Sequence, residues 1–91
     1  MSYWVYVLRS VSGRRRYVGQ TDDLERRLAR HNAGLVFATA PYRPWRLLHA
    51  ERWGTRAEAM RRERLLKSGQ GRQFLDSLEA RLNRQSPPEA D

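Results

Sequence analysis

The chain contains no cysteine, which removes a disulfide framework, a thiolate metal centre and a cysteine nucleophile from consideration. It has no apolar run approaching the roughly 20 residues that span a bilayer, and no signal-peptide pattern at its N-terminus. A soluble, cytoplasmic protein with no membrane contact is the expectation. Histidine clusters are missing too: His31 and His49 stand far apart, and no Ser-His-Asp arrangement can be picked out. Gly69-Gln70-Gly71 is too short and too late in the chain for a phosphate loop, so it reads as a helix break. Lysine is nearly absent, Lys67 standing alone among arginines.

What is abundant is positive charge. Lys+Arg number 18 against 10 Asp+Glu, a net charge of +8 over 91 residues. Such density favours polyanions, and arginine forks bidentately onto phosphate where lysine offers a point charge. A GC-rich genome would account for arginine over lysine. It would not account for the surplus of base over acid, so nucleic acid is the leading partner. A chain this short forms one domain and buries only about 60–65% of its unfolded surface.

The pattern along the chain gives a small α/β or α+β fold. Residues 3–9, "YWVYVLR", are aromatic and β-branched and read as a strand, with Trp4, Tyr6 and Leu8 on one face and Tyr3, Val5 and Val7 on the other. Turn residues around Gly13 and a return strand at 15–19 complete an antiparallel hairpin. Asp22 with Glu25 forms a capping box for a helix to about Asn32, stopped near Gly34. An irregular, proline-bearing loop leads to a third strand, 45–53. Thr55 with Glu58 opens a second helix, and "RQFLDSLEARL" gives a third. The expected architecture is a three-stranded sheet flanked by about three helices, one domain over residues 1–82. Residues 83–91 read as a disordered tail.

Helical wheels then separate the charges. Leu24 and Leu28 mark the buried face of the first helix, and Arg26 and Arg30 fall on its solvent side. Arg27 and His31 flank the leucines, so Arg27 is placed differently from its neighbours; either it snorkels or it serves a site. In the second helix Ala59, Met60, Glu63, Leu66 and Lys67 follow core spacing, with Glu63 in the middle where an aliphatic residue belongs. A carboxylate there needs a cation or a metal. The wheel leaves open an ion pair with Arg27 or Lys67 and a metal ligand. Asn32 and Thr39 are polar residues beside the irregular loop.

These residues resemble the GIY-YIG nuclease superfamily, closest to its small stand-alone bacterial branch. "WVY" at 4–6 and "YVG" at 17–19 are similar to the paired tripeptides. "TDDLERRLARHNAG" resembles the family's first helix and "AEAMRRERLLK" its second. The resemblance runs from about Tyr3 to Leu75. It implies catalytic roles for Tyr6, Tyr17, Arg27 and His31, with Glu63 holding one Mg²⁺ or Mn²⁺. Substrate binding would fall to Gly19, Asn32, Arg26 and Arg30, with Gly19 admitting the nucleic-acid backbone closely. Two departures stand out: Trp4 replaces the first glycine, and Gln20 stands where repair-nuclease relatives carry lysine.

The implied activity is metal-dependent endonucleolytic hydrolysis of DNA, structured or damaged, in repair or recombination. RNA is a possible substrate, and a protein partner could supply specificity. Tyr6, by preference, would take the proton of the attacking water, with Arg27 and the metal depressing its pKa. Tyr17 would orient the water, and His31 would shuttle a proton or contact phosphate. The opposing reading is a weak or inactive DNA- or RNA-binding module.

Overall fold

The computed structural model describes residues 2–12 and 15–85. Strands β1 (Tyr3–Ser10) and β2 (Arg16–Thr21) pair antiparallel, with Tyr6 opposite Gly19 and Leu8 opposite Tyr17. Helix α1 (Leu24–Asn32) follows, then a 3-10 turn at Ala40–Tyr42 and β3 (Trp45–Trp53), antiparallel to β1. Helices α2 (Arg56–Leu66) and α3 (Gly69–Gln85) complete an α+β fold whose sheet order is β2-β1-β3. The turn expected around Gly13 and residues 86–91 of the expected tail lie outside the described residues. Helix α3 itself runs on through Gln85, past residue 82 where periodicity suggests the domain's end. No helix among the described residues is long and apolar enough to cross a membrane.

Alternation along β1 gives the sheet two buried faces. Val5 and Val7 join Val18, Ala59, Leu66 and Leu75 beneath α2 and α3, while Tyr6 and Leu8 join Trp45 beneath α1, with Leu24 and Leu28 packed on them. The first helix caps on Asp23 rather than Asp22: the Asp23 carboxylate accepts the Arg26 N–H at 3.1 Å, leaving Asp22 one residue outside. The Thr55–Glu58 capping box forms as the sequence indicates. Gly34, at φ 79°, ends the first helical segment in the left-handed conformation that glycine adopts without strain.

Part of the arginine surplus is spent inside the fold. Arg9 Nε lies 2.9 Å from Glu79, Arg16 pairs with Asp76 and Glu79, and Arg62 forks onto Glu51 at 2.7 and 2.8 Å. These pairs tie α3 to the hairpin and α2 to β3. Arg26 and Arg30 of α1 are exposed instead.

Candidate active site

Tyr6 sits on the central strand, so its backbone is held from both sides and its phenol points beneath α1. It is 1% exposed. Its hydroxyl lies 2.9 Å from His31 Nε2 and accepts the Arg27 Nε–H at 3.3 Å. His31, in the last turn of α1, is wholly buried, and its Nδ1 lies 2.8 Å from Thr39 Oγ1. Thr39, also buried, donates its hydroxyl to the Val36 carbonyl. One arrangement of protons satisfies every member. The Thr39 O–H donates to Val36, His31 Nδ1–H to Thr39, Tyr6 O–H to His31 Nε2, and Arg27 Nε–H to Tyr6. This arrangement requires a neutral imidazole. Burial, and then the Arg27 charge, lower the His31 pKa from 6.5 to about 4, which keeps it neutral.

Tyr17 completes a three-ring cluster. Its centroid is 6.3 Å from Tyr6 and 4.9 Å from His31. Gly19 explains how two phenols fit at one place on the sheet. A Cβ at Gly19 would lie 2.6 Å from the Tyr6 hydroxyl and 3.0 Å from Tyr17 Cε2. The missing side chain therefore makes room for the protein's own phenol, a use that the repeated tripeptides do not suggest. Gly19→Ala should destabilise the fold by about 1–3 kcal/mol, the usual cost of overpacking. Denaturant unfolding would measure it; an unchanged midpoint would show that Tyr6 can step aside freely.

Burial sets the two tyrosines apart. Desolvation raises the Tyr6 pKa above its ordinary value, outweighing the hydrogen bond from Arg27 that lowers it. Tyr6 is thus a neutral phenol shut off from solvent. Tyr17 is half-buried and lines an open cavity of about 530 Å³ at the β2 edge, shared with Lys67 and Arg72. Arg27 bridges both groups: it bonds Tyr6 and also lines a groove of about 510 Å³ with Arg26 and Arg30. Its own pKa is raised by the hydrogen bond to Tyr6.

Glu63 stands on α2, on the opposite face of the sheet from α1. It lines a cavity of about 220 Å³ with Gln20 and Lys67. The wheel overstates its burial. Ala59 and Leu66 are core residues, but Met60 is 43% exposed and the Glu63 side chain 19%. The carboxylate is at the rim, where Lys67 Nζ reaches its Oε2 at 2.7 Å. Of the partners open to Glu63 from the sequence, the structure selects Lys67 over Arg27. It remains close enough for its charge to raise the Tyr6 pKa slightly against Arg27.

No group of three or more His, Cys, Asp or Glu that could hold a metal occurs among the described residues. One carboxylate at an open rim, in a cavity it shares with the Gln20 amide, suits a Mg²⁺ that keeps most of its waters. The residues fit such an ion.

The remaining expected substrate contacts divide. Arg26 and Arg30 flank Arg27 along the groove. The Asn32 amide is instead committed to the backbone of Trp45: it donates to the carbonyl at 2.9 Å and accepts the N–H at 2.6 Å. Asn32 clamps α1 to β3, a structural task that its position beside a loop does not disclose. Thr39 is the residue of the site to which sequence reasoning gives no role, and nothing local marks it; Lys67 is named there as a partner open to Glu63, at i,i+4 spacing.

The chain matches the GIY-YIG catalytic domain over residues 2–75. It belongs to that family. Curated relatives agree: a UPF0213 protein of Natronomonas pharaonis is 40% identical over 67 residues, covering 72% of this chain and 78% of its own. Another from Staphylococcus haemolyticus is 39% identical over 66 residues, covering 71% and 80%. The solution NMR structure of a UPF0213 protein from Bacillus halodurans is 32% identical, with a TM-score of 0.53, covering 86% of this chain and 85% of that one. GIY-YIG domains form a nuclease family acting on nucleic acid, in general with a divalent metal. Within that frame, "WVY" and "YVG", similar to the GIY-YIG tripeptides, lie on paired strands whose register sets Tyr6 opposite Gly19.

Proposed function

We propose that the protein is a metal-dependent endonuclease that hydrolyses phosphodiester bonds in DNA, with structured or damaged DNA of repair or recombination as its substrate. The observation that carries this is the placement of Arg27, held by the buried Tyr6 and opening on a groove where Arg26 and Arg30 outnumber the acid of Asp22 and Asp23 once Arg27 is added. Phosphodiester hydrolysis needs fixed positive charge where negative charge develops on the phosphoryl oxygens. Arg27 supplies it from a guanidinium that Tyr6 orients in advance. Tyr17 faces the open side and orients the attacking water by accepting a hydrogen bond from it. The neutral His31 holds the Tyr6 hydroxyl in register. Glu63, with Gln20 nearby, is the group to hold Mg²⁺ or Mn²⁺, and the ion when bound supplies Lewis-acid charge to the phosphate. Lys67 adds a cation beside the position where Gln20 replaces lysine.

Glu63→Gln tests the reading, using labelled flap, fork, single-stranded and RNA substrates with Mg²⁺ or Mn²⁺. Cleavage should fall by about 10²-fold or more, since a neutral amide holds the ion poorly. Binding measured in EDTA should be unchanged. Equal cleavage by the variant would assign the activity elsewhere. A second reading, a binding module that cuts nothing, is favoured by the ammonium of Lys67 already seated on Glu63. It predicts retained binding and no cleavage with either metal.

A further inference from the structure

The segment from Arg26 to Ala50 contains five arginines and two histidines and not one acidic residue. Within it, the loop after α1 presents Leu35 at 61% exposure and Phe37 at 96%. This loop is tightly tied down. Leu35 N–H donates to the Arg30 carbonyl at 3.1 Å, and Thr39 and Ala40 N–H both donate to Val36 at 3.1 and 3.0 Å. Thr39 is buried against His31, and the Trp45 indole N–H donates to the Thr39 carbonyl at 2.8 Å. A backbone so constrained holds Phe37 out in water two residues from the hydrogen-bonded centre of the site. Leaving a phenyl ring exposed forgoes the stabilisation that burial would give. The nearby Arg43 lies over Gly34, whose Cβ position is 2.5 Å from the guanidinium.

We infer that Phe37 is a stacking platform for an unpaired nucleobase, which makes nucleic acid with unstacked nucleotides near the cut the preferred substrate. This rests on the nuclease reading and narrows it. The surroundings choose the occupant. An acid-free run of arginines is complementary to phosphate, and a protruding aromatic ring gains contact with a polyanion only where a base face is available. Duplex DNA hides its base faces in the stack. Flaps, forks and single strands expose them. A membrane surface would call for a broad apolar area, and here two side chains protrude from a loop that has Arg30 before it and Arg43 after it.

The test is binding, in EDTA and at fixed salt, of the full chain and its Phe37→Ala and Phe37→Trp variants. The ligands are a blunt duplex, a fork, and single strands of DNA and of RNA. Phe37→Ala should weaken the fork and at least one kind of single strand by about 5- to 100-fold, the worth of one stacked base. The blunt duplex should change by less than about twofold, since phosphate contacts carry it. Phe37→Trp should restore affinity, with indole fluorescence quenched relative to the native tryptophans on binding the fork. Equal losses on all ligands, or no loss on any, would overturn the inference while leaving the nuclease reading intact. Failure of the wild-type protein to bind any of them would instead remove the nuclease reading beneath it. Because Phe37 touches solvent, unchanged thermal melting of Phe37→Ala checks that the fold is preserved.

Discussion

Replacing Arg27 by lysine is expected to lower the rate of DNA cleavage by about 10³-fold, while affinity for DNA changes by no more than about threefold. The charge is the same in both side chains, so the difference isolates geometry. Arg27 uses Nε to reach the Tyr6 hydroxyl at 3.3 Å and lines the groove with Arg26 and Arg30. A lysine has one nitrogen. Its three donors radiate from a single point, so holding the phenol pulls the charge off the phosphate, and it loses the planar fork that matches two phosphoryl oxygens. Arg26 and Arg30 remain to hold the backbone, which is why binding should survive. Single-turnover cleavage beside equilibrium binding would separate the two quantities. Parallel losses in both would make Arg27 a binding residue with no share in the chemistry.

Acid is expected to weaken the fold through one residue in particular. His31 has a pKa of about 4 in the folded protein against 6.5 when free. As pH falls through 6.5 the unfolded chain takes up a proton that the folded chain refuses until about pH 4. Stability is therefore full above the unfolded value and drains away across that interval. Linkage sets the loss at about 3 kcal/mol. Glu51, whose pKa is lowered by Arg62 and His49 despite its burial, also loses stabilising charge in acid. The comparison must accordingly be between wild type and His31→Gln. Urea unfolding at pH 7.5 and 4.5 should show the wild type losing about 3 kcal/mol more than the variant. The same acid loss in both would mean that the imidazole is hydrated in the folded state.

Most of the architecture is legible in the sequence because its signals are local. The alternation in "YWVYVLR" assigns Tyr3, Val5 and Val7 to one face of β1 and Tyr6 and Leu8 to the other, as observed, and the Thr55–Glu58 box marks the start of α2 within three residues. Tyr6, Tyr17, Arg27 and His31 do come together, since strand pairing and one helical turn suffice to align them. What the sequence hides is depth. His31 sits beside the leucine stripe on a wheel, but it is sealed by Thr39 and by Tyr6, from two other segments. The same closure pushes the Tyr6 pKa up where charge counting alone would push it down. Glu63 errs the other way. Core spacing assumes a helix covered along its whole face, and α2 is covered at Ala59 and Leu66 while its rim is open at Met60 and Lys67. Asn32 illustrates a third limit: an amide beside a loop can bind a substrate or the chain's own backbone, and only the position of Trp45 decides.

The phenol at Tyr6 is carried by the middle strand of a sheet with only three. Strands at the margin can peel away in small local openings, but the middle one is released only when the pairing on both sides gives way. The backbone that carries this phenol is thus among the last to open, while Tyr17, one strand out, belongs to a boundary that can breathe. In such a molecule the orienting half of the machinery has no separate off position. Any adjustment to the shape of an incoming strand must be made by the margin and by the loop after α1, around a fixed pivot.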